Sequence, residues 1–129
     1  MASELRVNTL KDASGNNSIA TSFVAGGSAK VWNCFDASGT ITSRDSLNVA
    51  SLTDNGTSNF DTNLTSSFVN DDYSFNGAVG LHTGANVQIV GGTSATAKDT
   101  GQYGIRSANA DNAFGDSDDY MTTAHGDLA

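Results

Sequence analysis

An antiparallel β-sandwich, single-domain and jelly-roll-like, with an N-terminal extended arm, is the fold class this sequence predicts, and three observations predict it. Short runs alternate apolar and polar residues with period two, as half-buried strands do. Turn-forming clusters of Gly, Asn, Asp and Ser recur between those runs. No window sustains the i, i+3, i+4, i+7 apolar pattern of an amphipathic helix, and Leu, Glu, Lys, Gln and Arg are few.

Taken in order, Leu5–Leu10 alternates as a strand and is followed by a turn over Lys11–Asn17, where Asp12 can bond its own backbone and Gly15 can take positive φ. Ile19–Val24 is a second expected strand, closed by Gly26-Gly27. Ala29–Phe35 is the strongest hydrophobic stretch, with Val31 and Asn33 on one face and Trp32 and Cys34 on the other. It ends at Asp36-Ala37-Ser38-Gly39, the same four residues found at 12–15. Thr40–Ser43 and Leu47–Leu52 come next. Asn55-Gly56 then stands between two alternating runs, the strongest short-range hairpin signal. Phe60, Thr62 and Leu64 share a face of the returning strand. Tyr73–Gly80 contains Gly77 and Gly80, which suggest bulges or a close backbone approach. Val87–Val90, Tyr103–Ser107 and Tyr120–Ala124 complete the series, with an acidic, Asn-rich loop at 108–119. The expected division is an arm and attachment segment at 1–27 and a sandwich domain at 28–129.

The chain has 129 residues, enough for one modest core. Fourteen acidic against six basic side chains give a net charge of -8, so a phosphate backbone would be repelled and no nucleic-acid partner is expected. No stretch reaches the roughly 20 apolar residues of a membrane-spanning helix, and no membrane partner is expected. One cysteine, Cys34, cannot form an intramolecular disulfide. Residues 1–6 lack the basic and apolar regions of a secretory signal, which leads to the expectation of cytoplasmic synthesis. The sequons beginning at Asn16, Asn55 and Asn63 are what chance supplies in so Asn- and Ser-rich a chain.

Candidate chemistry is sparse. His82 and His125 each sit beside glycine in an expected loop, with no ligand partner at metal spacing. Cys34 reads as a buried, inert thiol without a local base. No Gly-x-Ser-x-Gly elbow, phosphate loop or GxGxxG occurs. Asp111, Asp116, Asp118 and Asp119 crowd one loop and Asp71-Asp72 another. Their spacing matches no calcium loop, so the expectation is solvated charge, no metal and no cofactor. The only Glu is Glu4, and turn aspartates have nothing to raise a pKa for glycosidase work. Trp32, Phe35, Phe60, Phe68, Tyr73 and Phe75 read as core. Tyr103 and Tyr120 could line a sugar-binding face, although core or interface use is the simpler reading. No catalytic residue is expected: the chain reads as a structural or binding module. A carbohydrate- or Ca²⁺-binding, lectin-like module is the alternative of another class.

One resemblance sharpens this. Residues 3–17, Ser-Glu-Leu-Arg-Val-Asn-Thr-Leu-Lys-Asp-Ala-Ser-Gly-Asn-Asn, resemble the opening of small virion proteins of tailed phages of marine bacteria and cyanobacteria. Gly27–Asn33, Gly39-Thr40-Ile41, Ser46–Thr57 and Phe68–Phe75 extend the likeness over about the first 80 residues, with Asn33-Cys34-Phe35 as a departure. The resemblance implies a non-enzymatic capsid decoration (cement) protein, or a tail-fibre or appendage protein, usually oligomeric. It also implies the virion surface as location and the major capsid protein or tail and neck proteins as partners. Apolar Leu5, Val7 and Leu10 on a segment set apart from the core series, together with Trp32, are the expected attachment or homotrimer interface.

Overall fold

A computed structural model describes residues 3, 5–80, 88–91, 98–108 and 113–129. Strands β1 (Thr9–Leu10) and β2 (Ile19–Ala20) form a small hairpin that runs directly into helix α1 (Thr21–Gly27). The body is built from β3 (Val31–Asp36), β4 (Thr42–Leu47), β5 (Val49–Asp54), β6 (Asn59–Leu64), β7 (Ser74–Val79), β8 (Gln88–Gly91), β9 (Gln102–Ala108) and β10 (Tyr120–His125). Two four-stranded antiparallel sheets, ordered β4-β3-β10-β7 and β5-β6-β9-β8, face one another. The expected sandwich is therefore present. β3–β4, β5–β6 and β8–β9 are hairpins within a sheet, and the other four connections cross between sheets. Because β7 approaches β8 and β10 pairs with β7, strands β7 to β10 make a Greek-key return.

Alternation decides what lies between the sheets. Val31, Asn33 and Phe35 point inward from β3, as do Tyr120, Thr122 and Ala124 from β10 and Tyr103, Ile105 and Ser107 from β9. Three aromatic rings fill one end of the core. Phe35 stacks on Tyr120 at 4.8 Å, and Phe60 meets both edge-on at 5.7 and 5.2 Å. At the other end Phe68 stacks on Tyr73 at 4.0 Å and Phe75 on Tyr103 at 5.2 Å. Burying each such side chain is worth roughly 1.5–3 kcal/mol, and a well-placed ring pair about 0.5–1.5 kcal/mol more. A polar row separates the two aromatic groups. Asn33 lies opposite Thr122 and accepts a bond from the Ser43 hydroxyl at 2.9 Å, while the Thr122 and Tyr103 hydroxyls bond across the sheets at 2.9 Å.

Several local expectations change. Leu47–Leu52 is two strands, because Asn48 adopts φ 59° and turns the chain from one sheet to the other. Its side chain holds that turn, accepting from the Ser66 N–H at 2.7 Å and donating to the Ser66 carbonyl at 3.0 Å. Ile19–Val24 is a strand only at its start, since Thr21 begins a helix that no side chain caps and that buries none of its residues. Trp32 was expected in the core; it points out of β3 and is only half-buried, because Val31, Asn33 and Phe35 take the inner face. Gly77 keeps regular register with Thr122, whereas Gly80 is the close approach: a Cβ there would lie 2.7 Å from the Asp119 Cβ.

The turns follow their residues. Asp12 accepts from the Ser14 and Asn16 N–H groups at 3.1 and 2.8 Å, with Gly15 at φ 74°. Asp36 repeats the device with the Ser38 N–H at 2.9 Å and the Ser38 hydroxyl at 2.8 Å. Asn55 and Gly56 turn β5 into β6, with Gly56 at φ 110°.

Candidate interaction surface

The two outer faces of the sandwich differ in chemistry. On β5-β6-β9 the outward positions are polar: Asn63 donates to the Ser51 and Thr53 hydroxyls at 3.2 and 3.0 Å, and Asn55 donates to the Asp61 carboxylate at 2.7 Å. On β4-β3-β10-β7, register lines up two outward rows. Leu47, Trp32, Thr123 and Asn76 form one, and Asp45, Cys34, Met121 and Ala78 the other. Cross-strand partners share a face, so these rows make an apolar stripe with a carboxylate at its margin. Leu47 is 46% exposed and Met121 41%. Gly77 and Ala78, small residues on an edge strand, leave a shallow groove beside Met121 and Thr123.

Cys34 belongs to this outer face and not to the core. Its Sγ lies 3.6 Å from Oδ1 of Asp119. Partial burial pushes its pKa up, and the hydrogen bond and charge of Asp119 push it further against the opposing pull of Arg44. Arg44, the bulged residue of β4, bridges Asp119 at 3.3 Å and Asp36 at 3.2 Å. The bonds from Ser38, and then Arg44, hold the Asp36 carboxyl below the usual carboxylate range.

The second exposed apolar feature is the N-terminal segment. Leu5 is 81% exposed and Phe23 73%, and Val7, Leu10, Ile19 and Val24 are exposed as well. Leu10 pairs directly with Ile19, so the two share one face of the β1–β2 hairpin. Residues 5–8 lie outside the sheet ladders, so the expected strand Leu5–Leu10 is realised only over Thr9–Leu10. Contacts to the body fall at the end of the segment, where the Lys30 N–H donates to the Ala124 carbonyl at 2.9 Å and the His125 ring lies 3.2 Å from the Gly27 carbonyl. Leu5, Val7, Leu10 and Trp32 are thus all outward-facing, but on separate elements.

The remaining candidates resolve as follows. Tyr103 and Tyr120 are fully buried, their hydroxyls engaged with Thr122 and Ser107, so neither ring is offered to a sugar. His82 and Asp111 lie outside the described residues. Asp116 and Asp119 are not the freely solvated charges expected. Asp116 accepts from the buried Ser58 N–H at 2.6 Å, and Asp119 is tied to Arg44 and Cys34, while Asp118 is exposed. For Asp116, satisfying the backbone at a sandwich end outweighs keeping the carboxylate in water. Among the described residues, no group of three His, Cys, Asp or Glu side chains is arranged to hold a metal ion. Also among them, no helix is long and apolar enough to cross a membrane. No known protein family, curated protein or solved structure matches the chain.

Proposed function

We propose that the chain is a non-enzymatic structural protein of a phage particle, a capsid decoration protein that binds the outer surface of the head through the major capsid protein and stabilises it. In this reading it is made in the bacterial host cytoplasm, assembles as a homotrimer and resides on the virion surface. The observation that carries the adhesive part is the unburied apolar N-terminal segment, Leu5 to Val24, attached to a body whose own core is already filled. Apolar residues presented this way are stable in water only at a cost that association removes. The likeness of residues 3–17 to openings of small virion proteins supports the phage assignment.

A fibre or appendage tip is the other virion role; one sandwich with a short arm suits a lattice-bound cap better than a shaft. The test is a stoichiometric mass-spectrometric inventory of purified heads and tails from the phage that encodes the chain. A fixed ratio to the major capsid protein, lost when residues 2–17 are deleted, is the expected result. Recovery with tails alone would move the protein to the appendage, and absence from both would end the virion reading.

A further inference from the structure

We propose that the groove on the outer face of the β4-β3-β10-β7 sheet, beside Met121, seats the apolar N-terminal arm of a second copy of this chain, so that copies join arm to face. Both halves of the contact are exposed in a single chain: Leu10, Ile19 and Phe23 on the arm, and Leu47 and Met121 on the sheet. The arm therefore does not cover its own sheet, and each surface is left to find a partner. On the opposite sheet the described outward side chains of β5, β6 and β9 are polar, with the exposed Phe114 ring lying over Arg106.

Charge favours the same pairing. Residues 1–27 carry two cations, Arg6 and Lys11, against two carboxylates, a net charge of 0. Residues 28–129 carry four cations against twelve carboxylates, a net charge of -8. Two arms, or two sheet faces, would bring together like surfaces. An arm on a face instead brings the least acidic part of one chain to the acidic body of another, with Asp45 at the margin of the apolar rows. The arm joins the body where α1 ends at Gly26-Gly27 and Ser28 becomes extended, and glycine restricts the backbone least at such a joint. The contact is heterologous, so it closes into a ring when the rotation between copies permits, and the homotrimer proposed above is such a ring.

This inference rests on the adhesive reading of the arm and not on the phage assignment. The experiment is sedimentation of the full chain at micromolar concentration, alongside two variants. One is Leu10→Ser with Phe23→Ser, in a segment that buries nothing; the other is Leu47→Ser with Met121→Ser, at exposed positions. Unchanged melting temperatures establish that both still fold. The wild-type chain is expected to associate, each variant to be monomeric, and an equimolar mixture of the two to form dimers, because one intact arm then meets one intact face. Alkylation of Cys34, which lies in the covered rows, should slow on association. A monomeric wild-type chain overturns the proposal, and so does a mixture that stays monomeric; a variant that associates on its own does so too, since like surfaces would then be pairing with like. A wild-type monomer that still enters particles would overturn this inference and leave the phage reading standing. An arm-to-face oligomer missing from particles would do the reverse.

Discussion

The Tyr120 hydroxyl lies 2.7 Å from the Ser107 hydroxyl, a bond that ties β10 of one sheet to β9 of the other inside the core. Ser107 in turn bonds Ser58 at 3.1 Å, and the Ser58 hydroxyl accepts from the Gly115 N–H at 2.7 Å. This buried chain of hydroxyls pins the loop before β10 across the end of the sandwich. Tyr120→Phe keeps the ring stack on Phe35 but removes the hydroxyl's bonds to Ser107 and to the Gly115 carbonyl, at an expected cost of about 1–2 kcal/mol. Ser58→Ala removes the hydroxyl's bonds to Ser107 and to the Gly115 N–H and carbonyl and should cost about 2–3 kcal/mol. Urea titration, compared at equal m-values, measures both.

Asn48 is where the chain changes sheets. Replacing it by Ala keeps a side chain at φ 59° while losing both bonds to Ser66, an expected loss of about 2–3 kcal/mol. Asn48→Gly relieves the backbone and loses only the bonds, so it should fall between wild type and Asn48→Ala in thermal unfolding.

Gly126 is held by contact and Gly26 is not. At Gly126 a Cβ would lie 2.7 Å from the Tyr73 Cβ and 3.0 Å from the Phe68 ring, so Gly126→Ala should destabilise by about 1–3 kcal/mol through overpacking. Gly26 meets nothing within 4 Å, and Gly26→Ala on α1 should leave global unfolding unchanged. Equal effects at the two positions would contradict the packing described.

The depressed pKa of Asp36 sets a pH dependence. A carboxyl whose folded pKa is below its unfolded value stabilises the protein above the unfolded pKa, about 3.9, and loses that contribution as pH falls through the folded value. Asp36→Asn should therefore melt below wild type at pH 7, and the gap should close below about pH 4. A gap that stays constant down to pH 2 would remove the Ser38 and Arg44 bonds as its cause.

Cys34 has the opposite sign. Its thiol is held above the ordinary value by burial and by Asp119, so iodoacetamide at pH 8 should modify the folded chain more slowly than the unfolded one. Asp119→Asn removes the carboxylate and should move the rate profile to lower pH. Thiolate formation at high pH should also destabilise the fold, since the raised pKa favours the protonated form in the native state.

The strands themselves were legible as patterns: the alternation of Val31–Phe35, Phe60–Leu64 and Tyr120–Ala124, the Asn55-Gly56 turn and the paired Asp-Ala-Ser-Gly turns all stand where local chemistry puts them. Short-range rules suffice there, because a turn or a pleat depends on neighbours a few residues away. Alternation alone, however, says that two faces exist and not which is inside. Trp32 and Cys34 are as apolar as the inward row of β3, yet they face out, because Val31 and Phe35 meet Ala124 and Tyr120 beneath the second sheet. The break at Asn48 and the helix at Thr21 were hidden for the same reason. Asn48 turns where the body needs a strand to change sheets, and among the described strands β2, which leads into Thr21–Gly27, pairs only with β1 and with none of the body. The candidate surface was half visible, in the apolar residues of the arm. Its counterpart on Leu47, Met121 and Ala78 arises from three strands far apart in the chain, brought side by side only when their opposite faces are buried together.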